Sequence, residues 1–397
     1  MKRKIFDEEH EMFRDSVRSF MQNEIQPHSD RWREAGIVDR EAFLKAGEMG
    51  LLLMWAYEEY GGAGVPDFRY EQVLIEENLR YGDSGFFMTL HNRLVGPYLG
   101  ELGTDEQKQR WLPQCISGEH ILAVAITEPG AGSDVAGLRT RAEDKGDHFL
   151  LNGSKTYISN GILADLVVVV ARTDPHGSHG LSLFVVERGM QGFERGRNLK
   201  KMGLKSQDTA ELFFNNVKVP KENLLGEFNH GFYHLMHFLA EERLLGAVQY
   251  LAASNTAFDI TMDYIRERKA FGRTIADFQN TRFKMADMRM QIDVGQAFVD
   301  QCVLEHNERQ LTADDAAKAK LFASELEGRI MDDCVQLHGG AGYMDEYPIC
   351  RMYLDARISR IYAGSSEVMR EIIARSIGLD PRKKKSKSID NSRVSAA

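Results

Sequence analysis

A glycine-rich segment, residues 127–134, is the part of the chain whose residue types best suit ligand binding. It reads Thr-Glu-Pro-Gly-Ala-Gly-Ser-Asp and follows the apolar run 121–126, which predicts a β-strand. Glycine turns let backbone N–H groups approach a phosphate or another ligand closely. Taken alone, the same residues are also typical of a plain surface turn, so the interpretation depends on the rest of the chain.

Two carboxylates and an arginine, Glu241, Glu242 and Arg243, stand together in a stretch with helical periodicity. A carboxylate removed from water has a raised pKa and is a stronger base, whereas one in water is an ordinary surface group. Because a helix has ~3.6 residues per turn, the two glutamates point in different directions, and Glu241 is the better candidate for solvent. The ordinary alternative for Glu242 is a surface glutamate paired with Lys or Arg.

A cationic residue, Arg268, falls at the predicted end of the same helix. Its guanidinium matches a pyrophosphate through planar, bidentate hydrogen bonds. An exposed arginine that caps a helix C-terminus explains the same residue without any ligand.

The elements that position these residues divide the chain into three parts. Residues 1–118 show helical periodicity, and Thr104-Asp105-Glu106-Gln107 is a capping box that predicts a helix to about residue 116. Residues 119–228 contain short apolar runs between Gly, Asn, Asp or Pro, which predict an antiparallel β-domain with a hairpin at Asn152-Gly153. Residues 229–380 predict a C-terminal four-helix bundle, with helices at about 229–268, 275–308, 312–338 and 359–377. The predicted fold class is therefore multi-domain α+β, followed by a polar, basic and disordered tail at 381–397.

Composition excludes several classes of protein. The chain has 397 residues, too many for one hydrophobic core, and no run of eighteen apolar residues predicts a membrane span. The net charge of −9 argues against general nucleic-acid affinity. Four cysteines lie far apart, which predicts free thiols and neither a metal site nor disulfides. The N-terminus has no apolar signal region and is acidic from Asp7, which favours a bacterial cytoplasm, with the mitochondrial matrix as the alternative.

Four motifs in order resemble the signatures of the acyl-CoA dehydrogenase family. They are Ala-Ile-Thr-Glu-Pro-Gly-Ala-Gly-Ser-Asp at 125–134, Arg-Lys-Ala-Phe-Gly at 268–272, Gln-Leu-His-Gly-Gly at 336–340 and Ile-Tyr-Ala-Gly-Ser-Ser-Glu at 361–367. The resemblance covers residues 5–378 and has the same three-domain order. It implies FAD held between the β-domain and the bundle, a homotetramer of paired dimers, oxidation of an acyl-CoA to the trans-2-enoyl-CoA, and electron transfer to electron-transferring flavoprotein.

The resemblance also implies roles for single residues around the cofactor. Thr127 bonds the flavin ring, and Ser133 serves the pyrophosphate or the pantetheine arm of the substrate. Tyr157 covers the flavin and Ser159 bonds its N5, where many relatives have Trp and Thr; a core aromatic and a strand-edge serine are the alternative. The residues that reach the FAD of the neighbouring subunit are Arg268, Phe271 and Gln279. The remaining cofactor candidates are Gln336, Gly339, Gly340, Ser365 and Glu367. His338 is expected to be structural.

The resemblance implies that the catalytic base is Glu242. Many family members have a glutamate directly after the Ile-Tyr of the last motif, where this chain has Ala363, which cannot take a proton. The long-chain and isovaleryl-CoA dehydrogenases have the base on an earlier helix, in a Glu-Arg-Leu pattern that Glu242 matches. This base removes the α-proton while flavin N5 takes the β-hydride. The substrate candidates are Ser133, Tyr233, Arg243, Ala363, whose N–H bonds the thioester carbonyl, and Gly364.

Three alternatives stay open at this point. An acyl-CoA oxidase or a flavin monooxygenase has the same fold and differs in the electron acceptor. A catalytically silent acyl-CoA-binding protein is favoured by Ala363 and opposed by Glu242. The acyl-chain pocket is expected to draw on residues 86–102, with Phe87, Met88 and Leu90 shaping its depth.

Overall fold

The chain forms a helical domain, a β-domain and a helical bundle, in the predicted order. The computed structural model describes residues 3–175, 177 and 180–380, so the tail predicted at 381–397 lies outside the described residues. Within these ranges, no helix combines the length and the apolar character that a membrane crossing requires.

The N-terminal domain ends in the helix that its capping box predicts. Thr104 Oγ1 accepts a hydrogen bond from Gln107 N at 3.3 Å, and Gln107 Oε1 accepts one from Thr104 N at 2.9 Å. Gln107 Nε2 also donates to the carbonyls of Glu222 and Leu224, at 2.7 and 2.8 Å. The cap therefore joins the helical domain to the β-domain. The helices are α1 (Glu8–Phe20), α2 (Ser29–Ala35), α3 (Arg40–Glu48), α4 (Phe68–Tyr81), α5 (Gly96–Leu102) and α6 (Asp105–Ile116).

The middle domain is a sheet of eight strands among the described residues, with β1 paired to β4 beside the path β6-β7-β3-β2-β4-β5-β8. The strands are β1 (Leu122–Ala125), β2 (Arg141–Asp144), β3 (His148–Ser159), β4 (Leu166–Arg172), β5 (Leu181–Glu187), β6 (Phe193–Asn198), β7 (Thr209–Pro220) and β8 (Leu224–Leu225). Most pairs are antiparallel, but β1 and β2 each pair with β4 in parallel. The purely antiparallel prediction was wrong there because β2 and β3 intervene between β1 and β4, which are not hairpin partners.

The predicted hairpin at Asn152-Gly153 is wrong, because β3 continues through both residues. Its pairing with β7 shifts register between Leu151 and Gly153, where β7 has one residue more than β3, so the bulge is in β7 and the glycine lies beside it. Gly153 has φ +147°, and a Cβ there would lie 2.5 Å from Thr140 Oγ1. Close approach of the neighbouring chain, rather than a turn, requires this glycine.

Long helices form the C-terminal bundle, and the first three end within a few residues of their predicted limits. They are α7 (Gly231–Glu267), α8 (Gln279–Asn307) and α9 (Ala313–His338), followed by α10 (Pro348–Ala356) and α11 (Ser366–Ser376); a short ribbon of β9 (Lys269–Ala270) and β10 (Arg273–Thr274) separates α7 from α8. The helix predicted at 359–377 begins only at Ser366, because Ser365 caps it by accepting from Val368 N at 3.4 Å. The prediction also missed α10, which has Pro348 in its first turn.

Strand β4 joins two of the three hydrophobic cores. Val168 and Val170 pack in the core of the helical domain, whereas Val167 and Val169 pack in the core of the β-domain. Alternate side chains of a strand point to opposite faces, so a fully apolar strand must be buried on both sides. The third core belongs to the bundle and includes Phe68 from α4. The three domains therefore share packed surfaces, which fixes the segments between them.

Candidate active site

Helix α7 places its two adjacent glutamates in different surroundings. Glu241 is largely buried, with Oε2 3.2 Å from His306 Nε2 and Oε1 3.6 Å from Arg93 Nη1. Glu242 has no hydrogen bond or ion pair to any described residue. The expectation that Glu241 faces solvent was wrong, because the helical domain and α8 cover that side of α7. The ordinary ion-paired glutamate is Glu241, and Glu242 is the carboxylate left available for chemistry.

Burial is the main influence on Glu242. It raises the pKa of this carboxyl above its usual value, while the nearby charges of Arg243 and Lys320 act in the opposite direction. Tyr98 on α5 and Tyr362 before α11 also interact electrostatically with this carboxylate, and burial chiefly raises the pKa of both phenols. Residues from α5, α7, α9 and the segment before α11 therefore converge around one partly desolvated base.

The segment before α11 presents a free backbone donor close to this base. Ile358 O accepts the N–H groups of Ile361 and Tyr362, at 2.8 and 3.2 Å. Among the described residues, the N–H of Ala363 has no such acceptor. Ala363 has φ +54° and Gly364 has φ +87°, so the chain turns sharply here. An unpaired N–H is suited to a carbonyl oxygen on a ligand.

A buried ion pair joins the glycine-rich segment to β3. Lys155 is fully buried, and its Nζ donates to Glu128 Oε1 at 2.8 Å and to Ile126 O at 2.9 Å. Glu128 also accepts from the N–H groups of Arg139 and Thr140, at 2.7 and 2.9 Å. Burial lowers the pKa of Lys155 to about 8, with Glu128 acting in the opposite direction. This clamp fixes both segments that carry cofactor candidates.

The structure brings the β-domain candidates together at one edge of the sheet. Thr127 O accepts a hydrogen bond from Thr156 N at 2.9 Å, beside Tyr157 and Ser159 at the end of β3. Tyr157 has φ +59° and is 70% exposed, so it is a surface ring rather than the core aromatic of the alternative interpretation. Ser133 is exposed on the same glycine-rich segment. This edge is a polar, accessible platform with an aromatic ring.

The third group of candidates lies elsewhere, at the far end of α7. Arg268 follows α7 at about 40 Å from Glu242, given a rise of ~1.5 Å per residue. The Phe271 ring beyond it is 95% exposed, and Gln279 at the start of α8 is also exposed. Tyr264 stacks on His338 with ring centroids 4.2 Å apart, which brings the exposed residues Gln336, Gly339 and Gly340 to the same end. His338 is buried and bonded to Cys334 O, a structural role as predicted.

Comparison with known proteins agrees with this geometry. Three family models match in order: the acyl-CoA dehydrogenase N-terminal domain at residues 7–119, the middle domain at 123–217 and the C-terminal domain at 229–378. The chain belongs to the acyl-CoA dehydrogenase family.

Relatives within the acyl-CoA dehydrogenase family extend over nearly the whole chain. The long-chain specific acyl-CoA dehydrogenase of Mus musculus mitochondria is 48% identical over 95% of this chain and 88% of its own length. A solved acyl-CoA dehydrogenase from Geobacillus kaustophilus is 46% identical, with a TM-score of 0.93 over 95% of this chain and all of its own. A glutaryl-CoA dehydrogenase from Mycobacterium smegmatis, solved in complex with FADH2, is 28% identical, with a TM-score of 0.88 over 95% of this chain and 96% of its own.

The residues of the acyl-CoA dehydrogenase site fit the FAD that this family uses. At Gly130 and Gly132, a Cβ would meet nothing within 4 Å, so the backbone of the glycine-rich segment is open to a ligand. The exposed Tyr157 ring beside it offers a flat apolar face, as a flavin requires. Both features stand on the segments that Lys155 and Glu128 hold together.

The remaining candidates take clear positions in the structure. Tyr233 is exposed in the first turn of α7, and Arg243 is buried next to Glu242. Ser365 caps α11 and Glu367 is exposed on its first turn, so the structure gives Ser365 a role in the fold. Of the expected pocket residues, Met88 and Leu90 are buried in the core of the helical domain, while Phe87 packs against it.

Sequence analysis missed several residues around the acyl-CoA dehydrogenase site. The missed residues all lie far along the chain from the residues that they contact. They are Lys155, Lys320, and the two partners of Glu241, Arg93 and His306. The signal for Lys155 was its place directly before the predicted β-run at 156–159, where a buried lysine needs a carboxylate partner such as Glu128. Lys320 has a similar signal, since it stands among alanines in a helix.

Proposed function

We propose that this protein catalyses α,β-dehydrogenation of a fatty or branched acyl-CoA, with Glu242 removing the α-proton. The observation that carries this proposal is the difference between Glu241, which is ion-paired, and Glu242, which is not. Burial raises the pKa of Glu242, which makes its carboxylate a stronger base towards an acidic C–H group. A silent binding protein has no use for such a base.

The N–H of Ala363 is proposed to hold the thioester carbonyl of the substrate. When the α-proton leaves, negative charge develops on that oxygen, and a fixed donor stabilises it by about 3–4 kcal/mol. The donor is a backbone group, so the alanine side chain does not prevent this role. Glu242 and Ala363 thus act on adjacent atoms of the substrate, the base on the α-carbon and the donor on the carbonyl oxygen. Arg243 offsets the charge of the carboxylate before the proton arrives.

We propose that Thr127, Ser133, Tyr157 and Ser159 hold the flavin half of FAD. When bound, FAD accepts the hydrogen that leaves the β-carbon with its electron pair, so the substrate loses one proton and one hydride. The protein residues orient the acyl chain between this platform and Glu242, and they exclude water from the base. Ser133 is also a candidate for the pantetheine arm, and Tyr233 and Gly364 for contacts with the substrate.

The distant group at Arg268 is proposed to serve the FAD of a neighbouring subunit. One FAD molecule cannot reach both Glu242 and Arg268, about 40 Å apart along α7. The guanidinium suits the pyrophosphate, and Phe271, Gln279, Gln336, Gly339 and Gly340 suit the adenosine half. Exposed apolar residues along α8 support assembly into a homotetramer, because a monomer would leave them in water. These residues are Phe283, Met290, Val294 and Phe298.

Substrate length and electron acceptor complete the proposal. The 48% identity to a long-chain enzyme favours long, straight acyl chains. The family resemblance favours electron-transferring flavoprotein as the acceptor. The location of this protein in a bacterial cytoplasm stays a prediction. The mouse relative is mitochondrial, which keeps the mitochondrial matrix as the alternative.

Anaerobic titration of the purified yellow protein with a panel of acyl-CoAs tests this function. We expect the flavin absorbance to bleach with at least one long or branched acyl-CoA, with formation of the 2-enoyl-CoA. If none of the acyl-CoAs bleached the flavin, the dehydrogenase function would be contradicted. Rapid reoxidation of the reduced flavin by oxygen would favour the oxidase instead.

A further inference from the structure

Lys320 is a fully buried lysine on α9 that the proposed chemistry does not yet use. Its Nζ donates to Ser359 O at 2.8 Å and to Gly364 O at 2.7 Å. These two carbonyls flank residues 360–363, at whose end Ala363 presents its N–H. One ammonium group therefore ties both ends of the segment that carries the proposed carbonyl donor.

The tied segment has a strained backbone. Ala363 has φ +54°, a left-handed conformation that is strained for an alanine. Such strain persists only where the surroundings fix the chain, and it is concentrated at functional positions. Next to it, Ser366 Oγ donates to Glu325 Oε1 at 2.8 Å, which anchors the start of α11 to α9. Lys320 provides the anchor on the other side of Gly364.

The charge of Lys320 acts on the base as well as on the loop. The charged groups around it are Glu242 and Arg243 on α7, Glu325 and Glu327 on its own helix, and Glu367 on α11. Burial lowers the pKa of Lys320 to about 8, and Glu242 acts in the opposite direction, so the group is a cation at neutral pH. A buried cation costs stability compared with an apolar side chain of the same size, so the fold gains nothing from a charge as such.

We propose that Lys320 is a positioning residue, which holds the Ala363 N–H in place for the thioester carbonyl and favours the ionised form of Glu242. This inference rests on the proposed function, because it gives the two groups of that function a common support. It adds a role for a residue that touches neither the substrate nor the flavin.

Proton exchange separates this role from dehydrogenation. An acyl-CoA with sulfur in place of the β-carbon can lose its α-proton but cannot lose a β-hydride. We would incubate this probe with the FAD-loaded protein in D2O and follow α-proton exchange by NMR. The variants are Lys320→Met, which lacks both donors and charge, and Lys320→Gln, which keeps a donor without charge. The matched control is Lys318→Met, because Lys318 lies two residues away on the outside of α9 and pairs with Asp314 and Asp315.

Lys320→Met is expected to exchange the α-proton at least tenfold more slowly, with unchanged FAD content, while Lys318→Met exchanges at the wild-type rate. Lys320→Gln should recover part of the rate, and the acid limb of its pH profile should move to higher pH because Glu242 has lost a neighbouring cation. If Lys320→Met does not fold, Lys320→Gln and the wild type decide the question. The wild-type rate should then fall above pH 8 as Lys320 loses its charge.

Equal rates in the wild type and Lys320→Met would overturn the role of Lys320 and leave the proposed function standing. An unchanged acid limb in Lys320→Gln, with no alkaline fall in the wild type, would also overturn it. No exchange in the wild type would instead overturn the proposed function, and this inference with it.

Discussion

At the scale of single residues, the molecule keeps several charged groups out of water, and Glu71 is the clearest case. It is buried, and its Oε2 accepts from Asn92 Nδ2 at 3.2 Å while its Oε1 has no partner among the described residues. Burial raises the pKa of Glu71 from 4.5 to about 7, with Arg93 acting in the opposite direction. The folded protein therefore prefers the protonated form of this carboxyl.

Glu71→Gln should reduce the dependence of stability on pH. With an unfolded pKa near 4.5 and a folded pKa near 7, the wild type loses stability as pH rises from 4.5 to 7, by at most about 3 kcal/mol. The glutamine variant has no proton to lose, so its stability relative to the wild type should increase as pH rises from 5 to 8. Thermal unfolding at the two pH values measures this increase, with the exposed Glu48→Gln as control. The same difference at both pH values would be evidence against a raised pKa.

The two glutamates of α7 illustrate what residue-level prediction can do. Glu242 stays a prediction, made because Ala363 leaves the other base position empty and the Glu-Arg-Leu pattern supplies a substitute. Glu241 was mispredicted because helical periodicity gives the direction of a side chain but not what packs there. Its partners are Arg93 of the helical domain and His306 of α8, both far away in the sequence.

At the scale of secondary structure, Gly153 lets β3 lie close to its neighbours, beside a bulge in β7. Residues around it pair with β7 on both sides, and Asn152 Oδ1 accepts from Asn216 N at 2.9 Å. The glycine lets β3 pass close to Thr140, next to the ladder between β2 and β3. The same strand then continues to Lys155, and a second shift in its pairing with β7, between Lys155 and Ile158, includes Tyr157 of the proposed flavin platform.

Gly153→Ala should destabilise the β-domain by about 2–5 kcal/mol, because strain at positive φ adds to a clash with Thr140. Gly146→Ala is the control: it also has positive φ, but a Cβ there meets nothing within 4 Å. This control should cost only the backbone strain, about 1–2 kcal/mol. Thermal or urea unfolding of both variants gives the comparison. Equal losses would mean that the contact with Thr140 is unimportant.

Local signals predicted elements well where the interaction itself is local. The capping box at Thr104 involves residues three apart, and the structure confirms it. Asn152-Gly153 is equally local in sequence, but such a glycine serves either a hairpin turn or a close approach between neighbouring strands. Pairing with the distant β7 decides between these two roles, and the dipeptide alone does not predict that pairing.

At the scale of the whole molecule, the far end of α7 and the exposed face of α8 both indicate a larger assembly. Phe283, Met290, Val294 and Phe298 recur at helical spacing on one side of α8, and all are exposed. The three-domain order was predictable because changes in periodicity mark domain limits. The neighbouring subunit stays a prediction that rests on the family resemblance, because no pattern within one chain says which surface meets another.

Acidic substitutions on the α8 face should weaken both assembly and cofactor retention. A Met290→Glu/Val294→Glu variant is expected to sediment as a smaller species and to lose FAD on dilution, because Arg268 and Phe271 would no longer reach a second subunit. Met12→Glu, an equally exposed methionine on α1, is the control and should change neither property. Analytical ultracentrifugation with flavin absorbance measures both. A variant of unchanged size would show that this face does not hold subunits together.

The central claim, that Glu242 is the base, is tested most directly by rapid anaerobic mixing of Glu242→Gln with the best acyl-CoA. We predict that the variant retains FAD and binds the substrate but bleaches at least 10²–10⁴-fold more slowly than the wild type. Glu241→Gln should keep a much larger share of the rate, because its carboxylate serves the ion pairs with Arg93 and His306. Bleaching of Glu242→Gln at the wild-type rate would contradict the assignment and move the search to Glu241.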